Sequence, residues 1–356
     1  MVQIRAFARH DIPAVVDLYQ RVFGLGTWVT PDRLASHLER AFLSGPWYDE
    51  EDCSLVCLDS DGGIAGFLAV LPRPMLLQGR PVRAAVSSKF MVDPQRAPPL
   101  AAISMLKAFL GRPRDLALAD LSNDESRRVW EGVGGQTVLL YSLSWLRLLQ
   151  PCRYVASWVG QRPFGKPLAL AARPLCSPAD ALFARLDVNR LHRPPEGNTT
   201  AELDEATFLG HYAAFAGPEA LRPDYDERSL RWLWDVIART LPTQPLRKQA
   251  VRTESGQVIG WYVYFLARHG VSEVLHVASR KGSTSEVLHH LFADAWRNGS
   301  TAMYGRVSPS HMKPFSTRHA FFRSGPPWML VHSKRPEILE ALHRGVAFLS
   351  RLEGEW

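Results

Sequence analysis

Residues 90–135 constrain the fold more than any other stretch of this chain. The segment reads as a strand ending in Val92-Asp93-Pro94, a turn bearing Arg96, and an apolar helix. A second strand follows, then a helix that begins after Asn123 as DESRRVWEG and closes on Gly134-Gly135. A strand and helix alternation of this kind needs a sheet with helices packed across it, so an α/β or α+β architecture is expected.

The flanking residues supply the rest of that sheet. Ile4-Arg5 starts a short strand, and Asp11 stands where it can cap a helix over HDIPAVVDLYQRVF. In that helix Val15, Leu18, Tyr19, Val22 and Phe23 recur at helical spacing. A second helix starts after Thr30, with Pro31 in its first turn. Three runs, SLVCLD, IAGFLAVLPRPMLL and VRAAVSSKFMVD, are joined by turns at Asp61-Gly62-Gly63 and Gln78-Gly79-Arg80 and read as antiparallel strands.

At 356 residues the chain exceeds one ordinary domain, and its second half repeats the first half's order. DEATFLGHYAAFA and DYDERSLRWLWDVIART read as two helices, the latter presenting Leu230, Leu233, Trp234 and Ile237 on one face. Strands follow at Lys248–Arg252, Val258–Leu266 and Val271–Ala278, then a helix over 283–297, a strand at AMYGRV and a last strand at PWMLVHS. The expected division is an N-terminal domain over 1–150, a linking or wrapping segment over 151–200, a C-terminal domain over 201–335 and one helix over 336–356. The linking segment is rich in prolines and turns, with Pro194-Pro195 and Gly197-Asn198, and its one expected helix lies near Leu168–Ala172.

Composition excludes little. No apolar run reaches the ~18–20 residues needed to span a bilayer, and the charged N-terminus lacks the apolar core of a secretory leader, so a cytoplasmic protein without membrane insertion is expected. Cys53, Cys57, Cys152 and Cys176 lack zinc-site spacing and read as reduced thiols; no metal is expected. The net charge of +7 comes from cations spread along the chain without a basic arm, which suits an anionic small molecule as well as nucleic acid.

The strand pair DGGIAGFLAV, the VDP turn and the phrase NDESRRVWEGVGG together resemble the GCN5-related N-acyltransferase (GNAT) superfamily, here in a tandem form of bacterial type. The resemblance implies two domains, each a mixed, mostly antiparallel sheet flanked by helices. It implies a strand followed by a Q/R-x-x-G-x-G/A loop whose backbone N–H groups hold the coenzyme A diphosphate at a helix N-terminus. Val92, Arg96 and Asn123 fall on that pattern in the first copy. Pro98-Pro99 stand where the loop wants glycine and free N–H groups, and Trp130 stands where many members carry a general-acid tyrosine. The first copy therefore reads as a degenerate site.

The corresponding loop of the second copy is Ser279-Arg280-Lys281-Gly282-Ser283-Thr284, with two cations, three hydroxyls and one glycine before a helix. These residues are the candidate coenzyme A contacts. On the preceding strand, strict alternation places Glu273 and His276 on opposite faces, so one of them faces the cleft. Either is a candidate base for the acceptor amine, as a glutamate on this strand is in the family, and Tyr304 on the next strand is the candidate acid. His311, Arg318, His319 and Arg323 crowd the following segment and are candidates for an anionic acceptor, whereas His289-His290 reads as helix surface.

The resemblance implies an acyltransferase that moves an acetyl or longer acyl group from coenzyme A to an amine or hydroxyl by direct attack on the thioester. Acetyl-CoA or another acyl-CoA is the expected co-substrate, a small amine or amino sugar the expected acceptor, and a homodimer is possible. Two alternatives stay open: a non-catalytic accessory protein with this fold, and a FemABX-like aminoacyl-tRNA-dependent transferase, the one reading that brings in a nucleic acid.

Overall fold

A computed structural model describes residues 2–24, 30–160, 162, 166–186, 191, 197–218 and 220–356, leaving aside the side chains of 168–173. The expected turn at Pro194-Pro195 lies outside the described residues. The first half of the chain runs β1 (Gln3–Ala6), α1 (Ile12–Phe23), α2 (Pro31–Phe42), β2 (Leu55–Leu58), β3 (Ile64–Leu77) and β4 (Arg80–Val92). It continues through α3 (Ala101–Leu110), β5 (Leu116–Ser122), α4 (Asp124–Gly132), β6 (Gln136–Thr137), α5 (Leu139–Ser142) and β7 (Ser144–Leu148).

Next come α6 (Pro151–Gly160), α7 (Lys166–Arg185), β8 (Asn198–Glu202), α8 (Glu205–Ala216), β9 (Arg222–Pro223) and α9 (Glu227–Thr240). The second half closes with β10 (Leu246–Thr253), β11 (Val258–Phe265), β12 (Val271–Ser279), α10 (Thr284–Arg297) and β13 (Ala302–Arg306). Then follow α11 (Met312–Thr317), β14 (Phe321–Arg323), β15 (Trp328–His332) and α12 (Pro336–His343).

Two sheets result, in the orders β1-β2-β3-β4-β5-β15-β6 and β14-β7-β13-β12-β11-β10-β8, with β9 added beside β3. Each is antiparallel except at one pair, β4 with β5 and β12 with β13. Apolar side chains line both faces of each sheet, because both faces are covered by helices or by the other half of the chain. Asn123, Asp204 and Asp226 each accept a backbone N–H at the start of α4, α8 and α9.

The sheets exchange strands. Strand β7 lies in the second sheet between β13 and β14, and β15 lies in the first between β5 and β6. Cuts at 150 and 335 would therefore leave each sheet holding a strand from the other half. The proline-rich segment forms two helices, α6 and α7, packed on each other, where one had been expected. Its prolines 174 and 178 sit inside α7. Asp180 of α7 accepts the N–H groups of Cys152 and Arg153 at 2.8 and 3.2 Å, capping α6 from a neighbouring helix.

The C-terminus also departs from expectation. A single helix over 336–356 was expected, but α12 stops at His343, the chain turns at Gly345 with φ 72°, and it then runs extended to a short 3-10 turn at Arg351–Glu353. Ala347 bridges Leu221, and its N–H and C=O both bond the Tyr141 hydroxyl, at 2.8 and 2.7 Å. Ala347 and Leu349 join one core, while Phe348, Leu352 and Trp356 join another. The last ten residues are thus threaded between the two halves.

Candidate functional site

Each parallel strand pair opens into a wedge. Strand β4 pairs with β5 only at residues 84–86 with 116–118, and β12 pairs with β13 only at 271–274 with 302–305. At each opening the first strand carries a bulge. Phe67 and Ala69 of β3 face Met91 and Ser88, which leaves an extra residue in β4 where Lys89 takes φ 46°. Val263 and Tyr264 of β11 face His276 and Val274, leaving Leu275 as the extra residue in β12. The bulge breaks the strict alternation on which the opposite placement of Glu273 and His276 was argued.

The tail fills both wedges. Ser350 Oγ lies 2.8 Å from His276 Nδ1, and Phe348 lies edge-on to the same ring with centroids 5.4 Å apart. What is left beside Val274–Val277, His311 and Phe348–Ser350 is a cavity of about 20 Å³, room for one water. At the first wedge Glu355 Oε1 accepts the N–H groups of Asp120 and Leu121 at 3.3 and 3.1 Å, and the Glu355 N–H bonds Asp120 Oδ1 at 3.0 Å. Gly354 passes so close that a Cβ there would collide with the Asp120 carboxylate and the Arg351 guanidinium.

A buried polar cluster joins the wedges. Arg351 bonds Asp120 of β5 and Glu273 of β12, the latter at 3.2 Å. Arg306 of β13 bonds the Asp120 carbonyl and lies 3.7 Å from its carboxylate. Glu273 and Tyr304 are register partners on β12 and β13, close enough for the Glu273 charge to act on the Tyr304 hydroxyl. Burial would lower the Arg351 pKa, but the charges of Asp120 and Glu273 outweigh it and raise it. Burial, aided by the charge of Asp120, pushes Glu355 up to about 7. Tyr304, 40 % exposed, is raised by partial burial and by Glu273, so it keeps its proton near neutrality.

The expected site residues separate into groups. Glu273 and Tyr304 meet in the central cluster. His276 is buried and pushed down to about 3 by loss of solvent, then by the nearby His311, so it is neutral and a poor proton acceptor near neutrality. His311 is likewise buried and pushed down to about 4, and lines the cavity beside His276. Arg318 Nε bonds Ser285 at 3.1 Å, while His319 and Arg323 lie at the surface. His290 is buried, 3 % exposed, which corrects its reading as helix surface: α10 turns that face onto the second sheet.

In the 279–284 loop, Ser279 Oγ and Thr284 Oγ1 bond each other at 2.7 Å, so these hydroxyls brace the turn. Arg280 and Lys281 stand exposed, with Arg280 Nη1 3.2 Å from Gln257, and Gly282 takes φ 92°, which favours glycine. Ser283 precedes the first residue of α10, Thr284. In the first copy, Val92 ends β4, Arg96 is committed to Asp59 at 2.6 Å, and Asn123 caps α4. Leu100 takes φ 64° at the start of α3, directly after the two prolines. Trp130 is buried and packs edge-on against Phe109.

Sequence reasoning missed Asp120, Arg306, Arg351 and Glu355. The tail's sequence carried one signal: Gly345 and Gly354 interrupt a stretch read as continuous helix, and glycine is a poor helix former.

No family model and no curated protein matches the sequence. Solved structures do match the fold. A GCN5-related N-acetyltransferase from Anabaena variabilis superposes with TM-score 0.60 over 96 % of this chain and 75 % of its own, at 12 % identity. One from Kribbella flavida gives 0.56 over 94 % and 71 %, at 11 % identity. N-myristoyltransferase from Saccharomyces cerevisiae, with bound myristoyl-CoA, gives 0.54 over 100 % and 84 %, at 10 % identity. The chain has the two-sheet fold of the GCN5-related N-acetyltransferases.

Proposed function

We propose that this protein is an acyl-CoA-dependent acyltransferase acting on an amine or hydroxyl acceptor, with its chemistry at the cluster between the two wedges. The observation that carries the reading is the Glu273–Tyr304 pair at the opening of β12 and β13, tied through Arg351 to Asp120 of the first sheet. A glycine-bearing basic loop at the far end of β12 supplies a diphosphate site at the start of α10.

In this reading Arg280, Lys281 and the backbone around Gly282 hold the diphosphate of coenzyme A. The thioester arm enters the β12–β13 wedge when Phe348–Ser350 shift, because about 20 Å³ admits no pantetheine. Backbone N–H groups released at the bulge polarise the thioester oxygen. The acceptor nitrogen or oxygen bonds to the acyl carbon as the carbon–sulfur bond breaks. Glu273 takes the acceptor's proton, and Tyr304, its register partner, gives one to the departing thiolate. Arg351 holds Glu273 and Asp120 in place.

The tail packed in both wedges favours a second reading, a non-catalytic protein that keeps the fold. Thiol release from acyl-CoA in the presence of a panel of amines separates the two. Turnover that falls about a hundredfold or more in Glu273→Gln and in Tyr304→Phe supports catalysis, on the usual scale of acid–base residues. Absence of turnover with every pairing supports the second reading.

A further inference from the structure

The wedges leave unused a cavity of about 680 Å³ between α2 and α9, one helix from each half of the chain. That volume lies within the range of small-molecule sites. Arg40 and Asp235 bridge the two helices at 3.5 Å, and Asp235 also holds Arg239 at 2.7 Å. Lys89, Arg33, Arg40 and Arg239 line the space against a single lining carboxylate, Asp32. Leu34, Val236 and Pro242 supply apolar wall.

Lys89 is the unusual member. It occupies the left-handed bulge position of β4, a conformation that costs a non-glycine residue on the order of 1–3 kcal/mol and persists at positions held for other reasons. Its ammonium lies 5.6 Å over the Phe42 ring of α2, and it forms no salt bridge among the described residues. Next to it in the same lining, His37 Nε2 is buried without a hydrogen-bond partner. Lys89 is half-buried, and the buried His37 ring nitrogen without a partner is costly unless something supplies one. Burial lowers Lys89 to about 8 against the opposing charge of Glu355, so near neutrality it is still mostly charged.

We propose that the α2–α9 cavity binds a small organic anion with an apolar body, its anionic end on Lys89 and His37 and its body against Leu34, Val236 and Pro242. The arginines at α2 and α9 draw the anion in, and Arg40 and Arg239 are held in place for it by Asp235. The proposal does not depend on the acyl-transfer reading, although Lys89 also acts by its charge on Glu355 of the first wedge.

Calorimetry with 4-phenylbutyrate, phenyl phosphate and the neutral 4-phenylbutanamide tests the site. Saturable binding of either anion, with the amide weaker by roughly tenfold or more, is expected from one charge-assisted hydrogen bond. Binding of the carboxylate alone or of the phosphate alone identifies the anionic group. Lys89→Gln should weaken the better anion by roughly ten- to a hundredfold, while Lys89→Arg retains most of it. In the unaltered chain, the bound anion should slow acetylation of Lys89 by acetic anhydride, read by peptide mass spectrometry, which covers the case of a variant that does not fold. No saturation by either anion, equal binding of the amide, or unprotected Lys89 would each overturn the proposal.

Discussion

Arg351 and Asp120, 231 positions apart, form a buried ion pair that ties the C-terminal turn to β5 of the first sheet. Through Glu273 the same guanidinium reaches the second sheet, so one side chain spans both halves. Removing one partner leaves the others charged and buried. Arg351→Ala is expected to lower stability by about 3–5 kcal/mol, read as a lower urea midpoint. A cost under about 1 kcal/mol would mean that the pair is solvated.

Gly354 tests the same docking by shape. Its Cβ would meet Asp120 and Arg351, both held by other bonds, so the tail itself must lift. Gly354→Ala should expose the tail to carboxypeptidase and lower the melting temperature, although glycine to alanine away from a clash has a small or stabilising effect. An unchanged digestion rate would show that the tail is not seated as described.

Acid stability follows from the buried histidines. His276, His290 and His311 are pushed down to about 3, 4 and 4, each led by burial. Their unfolded forms bind protons below ~6.5, the folded forms only near 3–4. Stability from these groups is present above pH 6.5 and is lost as pH falls toward 4. Glu355, raised to about 7, acts in the other direction: its contribution is present below its unfolded pKa near 4.5 and is lost as pH rises through 7. Melting curves across this range should show His276→Asn flattening the acid limb and Glu355→Gln flattening the neutral one.

Phe348 separates access from chemistry. It is buried against Tyr212 and His276 at the closed wedge. Phe348→Ala should cost about 3–5 kcal/mol and lower the KM for acyl-CoA, with kcat changed far less. An unchanged KM alongside normal turnover would place the acyl arm elsewhere.

Much of the fold was legible because its signals are local. Turns at Gly62 and Gly79 and apolar spacing in α1 and α9 each act within a few residues, whereas Asp11, expected to cap α1, makes no side-chain cap bond to it. The exchange of β7 and β15 was not legible, since a strand's own pattern names the faces it buries and not the neighbour it pairs with. The tail failed for the same reason: Phe348, Leu352 and Trp356 fit a helix period, yet their burial comes from partners far away in the chain, such as Tyr212, Phe265 and His276. Glu273 and Tyr304 were reachable from strand register. The placement of His276 relative to Glu273 was not legible because a single bulge residue, Leu275, resets alternation without leaving a mark in the sequence.

The central claim is that the 279–284 loop and its wedge hold coenzyme A. Thermal melting with free CoA and with acyl-CoAs of increasing chain length tests it most directly, since a ligand at a hundredfold excess over its Kd stabilises by about 2.7 kcal/mol. A rise in melting temperature that Gly282→Pro abolishes is predicted, because proline cannot adopt the φ of 92° found there. No rise with CoA or any acyl-CoA, or a rise that Gly282→Pro leaves intact, would contradict it.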